Sequence, residues 1–204
     1  MCGVALNKER IIMRALSLTA AVLAAGLAFT FTGCGSKDSG GNSSSGAVPA
    51  AMETTDVSSM TDTEFLSCIT LCGTPIPYPL TLDGLGEDFS FDTASVRDYG
   101  DAITVRLLKG EEYVCLLQFG CGTEDLSGTS PAEMLLFMPE EENRNKLSVN
   151  GITANDKLAS LEKALGTPVE KDDSSLTYKT SAGVKMSALS GSDDRISTFV
   201  IYLN

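Results

Sequence analysis

The chain has 204 residues, enough for one domain or two small ones, and a formal net charge of −12. It contains no histidine, which excludes the Ser-His-Asp triad, the Cys-His dyad and the histidine-bearing zinc protease helix, because each needs an imidazole. The acidic balance also argues against a nucleic-acid partner, since affinity for phosphate backbones comes from clustered lysine and arginine.

The N-terminal segment, residues 1–33, has the layout of a secretory signal peptide. Lys8, Arg10 and Arg14 precede an uncharged run over residues 15–31, and small residues follow this run. The run is short for a membrane-spanning helix, which needs about 20 apolar residues. We therefore expect export of the chain and removal of this segment.

The uncharged run ends in Phe31-Thr32-Gly33-Cys34, which resembles the lipobox of bacterial lipoproteins. The resemblance implies cleavage before Cys34, a diacylglycerol on the Cys34 thiol and, in some bacteria, an acyl chain such as palmitate on the new N-terminus. Each buried methylene contributes about 0.8 kcal/mol, so two or three chains hold a protein firmly on a membrane. The expected location is the extracytoplasmic face of the cell membrane. The alternative is an uncleaved anchor with an incidental cysteine.

A flexible linker is predicted over residues 34–62. Residues 35–46 contain no apolar side chain that could be buried, and a coil of about 28 residues has a root-mean-square reach of about 30 Å. Loss of residues 1–33 leaves 12 basic and 26 acidic side chains, and an acidic body is repelled by an anionic lipid surface. We expect the folded part to stand off from the membrane and to begin near Phe65.

Residues 63–148 are predicted to form a β-rich N-terminal subdomain. Apolar and β-branched residues predict a strand from Phe65 to Cys72, followed by a turn. The other predicted elements are a possible edge strand at 75–80, one helical turn at 82–85, and strands at 102–108, 113–119 and 134–138. The strands at 102–108 and 113–119 are expected to form a hairpin whose buried side carries Ile103, Val105, Leu107, Tyr113, Cys115, Leu117 and Phe119.

Residues 149–204 are predicted to form a helix followed by a three-stranded meander. The helix is expected to end at Gly166 and to have Thr153 or Asn155 as its N-cap. Its apolar positions at helical spacing are Leu158, Leu161 and Leu165, and the strands follow at 176–180, 184–189 and 195–203. A helix on one face of an antiparallel meander is a stable two-layer arrangement. The predicted fold class is α+β, with short helices packed on antiparallel meander sheets.

Two resemblances to lipoprotein families rest on short motifs. The C-terminal part resembles SmpA/OmlA-type and β-lactamase-inhibitor-like lipoprotein domains in Gly151-Ile152-Thr153, the short helix, Leu165-Gly166-Thr167-Pro168 and the strand with Tyr178. The N-terminal part is similar to uncharacterised small lipoproteins of Gram-positive gut anaerobes in segments 69–73, 78–80 and 86–92. These motifs are glycines, prolines and core positions, so they imply a fold and a location but no catalytic residue. The two halves are candidates for diverged copies of one unit.

Four cysteines lie in the predicted folded part, and an even number in an exported protein allows disulfides. Cys68 and Cys72 are expected about 13 Å apart on one extended strand, too far for a bond with each other. The sensible pairings therefore join either of them to Cys115 or Cys121. Free buried thiols are a second interpretation. A zinc site is a third, although the C-x3-C and C-x5-C spacings depart from that of zinc knuckles.

The remaining polar and aromatic clusters have simpler explanations than a site. The acidic clusters at 140–142, 172–173 and 193–194 lie at predicted turns and lack the alternating pattern of a calcium loop. Three tyrosines are candidates for a sugar-stacking patch, with core or edge packing as the simpler expectation; they are Tyr78, Tyr99 and Tyr113.

Two classes of function are left. The first is a non-enzymatic module that binds an envelope protein, a peptide or a cell-wall component through the exposed face or edge of its sheet. The second is a thiol-based redox or metal-binding protein that uses Cys68, Cys72, Cys115 and Cys121. The sequence predicts no catalytic residue, no cofactor and no nucleic-acid partner, and it predicts membrane attachment through the lipid at Cys34.

Overall fold

A computed structural model describes residues 56–203. The predicted signal peptide, Cys34 and most of the predicted linker lie outside the described residues. The elements in chain order are α1 (Asp62–Ser67), β1 (Ile69–Leu71), β2 (Thr74–Pro75), α2 (Leu82–Leu85), β3 (Phe89–Asp98), β4 (Ile103–Lys109), β5 (Glu112–Phe119), β6 (Met134–Phe137), β7 (Leu147–Val149), β8 (Ile152–Thr153), α3 (Leu158–Leu165), β9 (Glu170–Lys171), β10 (Ser175–Lys179), β11 (Lys185–Ser190) and β12 (Ile196–Tyr202). Short 3₁₀ turns lie at Val57–Ser59, Thr123–Asp125 and Glu141–Asn143.

The strands form two antiparallel sheets. The large sheet has eight strands in the order β3-β4-β5-β6-β12-β11-β10-β9, and the small sheet has the order β2-β1-β7-β8. Antiparallel sheets with a few short helices agree with the predicted class. Strand β6 pairs with β12, so the predicted segments 63–148 and 149–204 share one sheet and one hydrophobic core. Between Asp56 and Leu203, none of the helices has both the length and the apolar composition that crossing a bilayer requires.

One face of the large sheet, which we call the inner face, forms the floor of the core. Alternate side chains of its strands are buried there because successive residues of a strand point to opposite sides. Helix α3 packs over β10 and β11 with its leucine side, as predicted. Buried inner-face residues include Ile103, Val105, Leu107, Cys115, Leu117, Phe119, Leu135, Phe137, Leu176, Tyr178, Met186, Ala188, Phe199 and Ile201.

The predicted N-cap of helix α3 is wrong. Lys157 occupies the N-cap position and its side chain makes no capping bond. Thr153 instead donates from its backbone N–H and its hydroxyl to the Asp156 carboxylate, at 2.9 and 3.1 Å. The hydroxyl is therefore used in the turn before the helix. Gly166 ends the helix with φ of 80°, as expected for a glycine stop.

The predicted strand from Phe65 to Cys72 is wrong over its first half, which is helix α1. Thr61 donates from its N–H and its hydroxyl to the Glu64 carboxylate at 2.8 Å, and the Glu64 N–H donates back to the Thr61 hydroxyl at 3.3 Å. This reciprocal capping box starts a helix. The helix ends at Ser67 with Cys68 as its C-cap, which leaves only Ile69–Leu71 as strand.

The folded part begins earlier than Phe65, because residues 56–62 are packed into it. Val57 is buried, and Asp62 in the first turn of α1 is only 8% exposed. The Asp62 carboxylate accepts hydrogen bonds from the Thr180 hydroxyl and, at 3.1 Å, from the Val184 N–H. These bonds tie helix α1 to the turn between β10 and β11.

A β-bulge moves Tyr113 away from the predicted buried side. Leu107 pairs with Cys115, but the neighbouring Leu108 pairs with Tyr113, so Val114 is the extra residue. The extra residue reverses the alternation at the start of β5. Tyr113 consequently shares a face with Leu108, opposite to Cys115.

Residues 69–137 and residues 147–202 each contain, in this order, a hairpin, a helix and a four-stranded meander. The hairpins turn at Cys72-Gly73 and Asn150-Gly151, with φ of 50° and 82° in the first and 49° and 79° in the second. Both helices, α2 and α3, end at a glycine of positive φ, Gly86 and Gly166. The second meander lies beside the first in reversed strand order.

The tie between α1 and the β10–β11 turn is testable by removal of its acceptor. Asp62→Ala leaves the Val184 N–H and the Thr180 hydroxyl buried without that partner, and such a loss costs about 1–3 kcal/mol. We expect urea denaturation to show a fall of about 2 kcal/mol in the unfolding free energy. The exposed Asp173→Ala is the control, with an expected change below about 0.5 kcal/mol. Equal stability of the two variants would contradict the tie.

Candidate functional site

The second face of the large sheet, which we call the outer face, is half-buried or exposed at almost every position. Directly paired residues of an antiparallel sheet point to the same side, so the register traces two rows across it. The first row crosses all eight strands and is Asp92, Arg106, Leu116, Leu136, Val200, Ser187, Thr177 and Glu170. The second row crosses seven and is Arg97, Thr104, Gln118, Met134, Tyr202, Lys185 and Lys179.

The middle of the outer face is apolar. Leu116, Leu136 and Val200 are consecutive in the first row, and Met134 and Tyr202 are consecutive in the second. All five side chains are half-buried, in contrast to the fully buried residues beneath them on the inner face. We call this group the apolar strip. A contiguous apolar patch framed by polar residues is typical of an interaction surface.

Charge is distributed unevenly between the outer face and the rest of the surface. Residues 56–203 contain 11 lysines and arginines and 24 aspartates and glutamates. The two rows hold four of the basic side chains, Arg97, Arg106, Lys179 and Lys185, and two of the acidic ones, Asp92 and Glu170. The outer face is therefore net positive on a strongly acidic protein.

A β-bulge opens a cavity at the β3 end of the outer face. The pairing of β3 with β4 jumps between Asp92 and Arg97, and the Ser95 hydroxyl substitutes for the missing ladder bonds. It accepts from the Arg106 N–H at 2.9 Å and donates to the Asp92 carbonyl at 2.7 Å. The cavity has a volume of about 340 Å³, and we call it the arginine hollow. It is lined by Asp92, Ala94, Ser95, Arg97, Tyr99, Thr104, Arg106 and Leu116.

The two arginines of the hollow make no ion pair within residues 56–203, whereas the other two arginines of this region both pair with carboxylates. The Arg106 guanidinium lies 5.7 Å from the centroid of the Tyr113 ring, a cation–π distance. Arg97 donates to the Val96 carbonyl at 3.2 Å. Most of their ten N–H donors are left for a ligand, since an arginine side chain carries about five.

The four cysteines occupy four different environments and are free thiols in the described structure. Cys68 ends helix α1, Cys72 lies in the β1–β2 turn, Cys115 is fully buried on the inner face, and Cys121 follows β5. The expected extended strand carrying both Cys68 and Cys72 is absent, because α1 ends at the first of them. Over residues 56–203, no three side chains of the metal-binding types converge.

A second cavity, of about 390 Å³, lies beside the Cys72 turn and is lined by Cys72, Lys109, Glu112, Asn145 and Lys146. Lys109 Nζ donates to the Cys72 carbonyl at 3.3 Å. Lys146 Nζ donates to the Tyr113 carbonyl at 2.9 Å and pairs with Glu112 at 2.8 Å. Lys109 thus holds the Cys72 turn, and Lys146 holds the segment just before β7, against the β4–β5 hairpin.

The surroundings keep three of the four thiols protonated. Burial raises the pKa of Cys72, which the positive charges of Lys109 and Lys146 oppose. Burial also raises the pKa of Cys115, with a smaller contribution from Cys72, and that of Cys121. Because the thiolate is the nucleophile and the metal ligand, this arrangement disfavours redox or metal chemistry at these positions.

Two of the three candidate tyrosines, Tyr99 and Tyr113, adjoin the arginine hollow, and the structure also places Arg97 there, which the sequence patterns did not indicate. Tyr99 lines the arginine hollow, Tyr113 packs against Arg106, and Tyr78 lies near Asp62. Arg97 was missed because strand β3 was not predicted. The alternation of Phe89 and Phe91 with polar residues was the available signal. The three acidic clusters lie in turns or bends between strands, as predicted.

The chain matches no known family model, no curated protein and no solved structure. The resemblance of its C-terminal part to SmpA/OmlA-type and β-lactamase-inhibitor-like domains stays a prediction.

The thiol environments predict an order of reactivity that site-resolved mass spectrometry can measure. In the native protein at pH 8, iodoacetamide should modify the half-buried Cys68 within minutes. Cys115 should react at least about 1,000-fold more slowly, since its modification requires unfolding. In 8 M urea the two rates should converge. Similar rates in the folded protein would contradict the burial of Cys115.

Proposed function

We propose that the chain is a lipid-anchored, extracytoplasmic binding protein of the cell envelope that performs no chemistry of its own. Its binding surface is the outer face of the eight-stranded sheet. The observation that carries the proposal is the apolar strip, which stands half-buried on a sheet whose other face already forms the core.

The composition of the outer face supports a partner rather than simple solvation. Leu116, Leu136 and Val200 adjoin on neighbouring strands, and charged residues stand at both ends of their row. An apolar centre with a polar rim is the usual anatomy of a protein interface. Covering the strip removes apolar area from water, at about 25 cal/mol per Å².

The face supports binding better than the edge of the sheet does. Strand β3 is the last strand on its side of the large sheet in the described part of the chain. Its bulge between Asp92 and Arg97 interrupts the regular ladder, and bulges of this kind protect an edge against pairing with another strand. The other outermost strand, β9, has only two residues.

The sequence of the N-terminus supports the location. The lipobox-like Phe31-Thr32-Gly33-Cys34 would place a lipid on the Cys34 thiol. For the linker that the sequence predicts between Cys34 and Asp56, a coil of about 22 residues would reach about 25 Å. The outer face could then contact a partner whose height above the membrane does not exceed the linker reach plus the diameter of the domain.

We also propose that the fold arose by an internal duplication. The two halves share the order hairpin, helix, meander, and their hairpins turn with nearly the same φ values at Cys72-Gly73 and Asn150-Gly151. The reversed order of the second meander brings β6 and β12, the last strand of each half, together. The apolar strip spans this junction, so the outer face would be the joint product of two diverged copies.

The anchor is tested by Cys34→Ser in the native host. Without a thiol no thioether-linked lipid forms, so we expect the protein to lose incorporation of labelled palmitate and to leave the membrane fraction. Cys68→Ser is the matched control and should keep both properties. A Cys34→Ser protein that stays fully membrane-bound after a carbonate wash would contradict the lipid anchor.

The binding surface is tested with a photo-crosslinking lysine analogue at two positions. Lys185 lies on the outer face, whereas Lys163 is exposed on helix α3. Irradiation of living cells should give a discrete adduct of the membrane-bound protein from position 185 and none from position 163. Adducts of the same size and yield from both positions, or none from 185, would count against the outer face.

A further inference from the structure

We infer that the arginine hollow is a carboxylate-binding subsite, and that the partner on the outer face is an acidic polypeptide whose apolar side chains cover the apolar strip. This inference rests on the proposed function and specifies the partner's chemistry.

The first support is the geometry of the two arginines. In the register of β3 with β4, Arg106 lies opposite Asp92 on one side of the bulge, and Arg97 lies opposite Thr104 on the other. Arg106 and Thr104 are two residues apart on one strand, so both guanidinium groups lie on the outer face beside the same cavity. A guanidinium presents paired N–H donors in a planar fork that matches the two oxygens of a carboxylate.

The second support is that no carboxylate of residues 56–203 lies within ion-pair distance of either guanidinium, although Asp92 also lines the hollow. Asp92 stands directly opposite Arg106 in the sheet, yet no ion pair joins them, and Arg97 has none with any residue from 56 to 203. Tyr113 and the Val96 carbonyl are the groups that the guanidiniums contact. The hollow thus holds two positive charges and one negative charge, and an incoming carboxylate balances the excess positive charge.

The third support distinguishes a polypeptide from other anions. Leu116 lines the hollow and also begins the apolar strip. Neighbouring strands lie about 4.8 Å apart, so Val200, three strands from Arg106, is about 14 Å away. An extended polypeptide advances about 3.4 Å per residue. A glutamate beside Arg106 therefore puts the side chain two residues further along about 7 Å away, between Leu116 and Leu136, and the side chain four residues further along about 14 Å away, over Val200. Polyphosphates and sugar polymers bring no such apolar groups.

The test uses the lipidated full chain in nanodiscs and a fluorescein-labelled, 18-residue peptide made of three Glu-Ser-Leu-Ser-Val-Ser repeats. Fluorescence anisotropy should show saturable binding that weakens with added NaCl, since exposed charges are screened. Arg97→Gln and Arg106→Gln should each raise Kd about tenfold. Lys163→Gln, which removes an exposed charge away from the outer face, should leave Kd unchanged.

Three further probes decide the chemistry. A peptide with lysine in place of glutamate, and one with serine in place of leucine and valine, should each bind at least about tenfold more weakly. Inorganic polyphosphate should not displace the Glu-Ser-Leu-Ser-Val-Ser peptide. The inference is overturned if that peptide does not bind, if both arginine variants bind it normally, if either altered peptide binds equally well, or if polyphosphate displaces it.

Failure of this inference and failure of the proposed function are distinguishable. If crosslinking from Lys185 succeeds and persists in the Arg97→Gln, Arg106→Gln double variant, the outer face binds a partner without a carboxylate in the hollow. If crosslinking fails while the acidic peptide binds in an arginine-dependent way, the subsite exists and the cellular partner is reached differently.

Discussion

The register between β6 and β12 is the constraint on which both faces of the large sheet depend. Phe137 pairs with Phe199, and the next pair along, Leu136 with Val200, points to the opposite side. The first pair is fully buried with its rings 6.4 Å apart, and the second is half-exposed. A slip by one residue would exchange the faces, because the side-chain period of a strand is two. This pairing also joins the two meanders, so one register fixes the core and the apolar strip together.

The β3–β4 and β4–β5 pairs contain bulges, and these bulges lie where the outer face carries its arginines and Tyr113. The extra residue Val114 brings Tyr113 to the outer face, where its ring contacts Arg106. The longer bulge between Asp92 and Arg97 opens the hollow, and the Ser95 hydroxyl supplies the bonds that the ladder loses there. Bulges re-aim side chains at little cost when a side chain satisfies the interrupted backbone. The hollow is thus built by two local irregularities on an otherwise regular sheet.

Periodicity predicted the elements that obey it. Helix α3, the β4–β5 hairpin and strands β10 to β12 have largely regular spacing, and the structure confirms these elements, except for the side on which Tyr113 lies and the N-cap of α3. Helix α1 was mistaken for a strand because β-branched residues follow it, although Thr61 and Glu64 already carry the signature of a capping box. The alternation of β3 is visible at Phe89 and Phe91 but breaks at the bulge after Asp92, so the pattern does not indicate the rest of the strand. The arginine hollow depends on the pairing of β3 with β4, which no local pattern contains. The candidate site can therefore be identified only once the strand pairing is known, whereas much of the fold can be predicted from local sequence patterns.

The division of charge explains how a small positive site can work on an acidic protein. Beyond the outer face, residues 56–203 carry seven basic and 22 acidic side chains, so the field at a distance is negative. At physiological ionic strength that field decays over about 8 Å. A long polyanion would extend beyond the outer face, and the acidic side chains there would repel it. A single carboxylate inside the hollow is close to two guanidinium groups, Arg97 and Arg106, and to one carboxylate, Asp92, and it is further from the acidic residues beyond the outer face, so the local attraction dominates. The hollow is thereby selective for short acidic segments, and the adjacent apolar strip restricts them further to segments that also carry apolar residues.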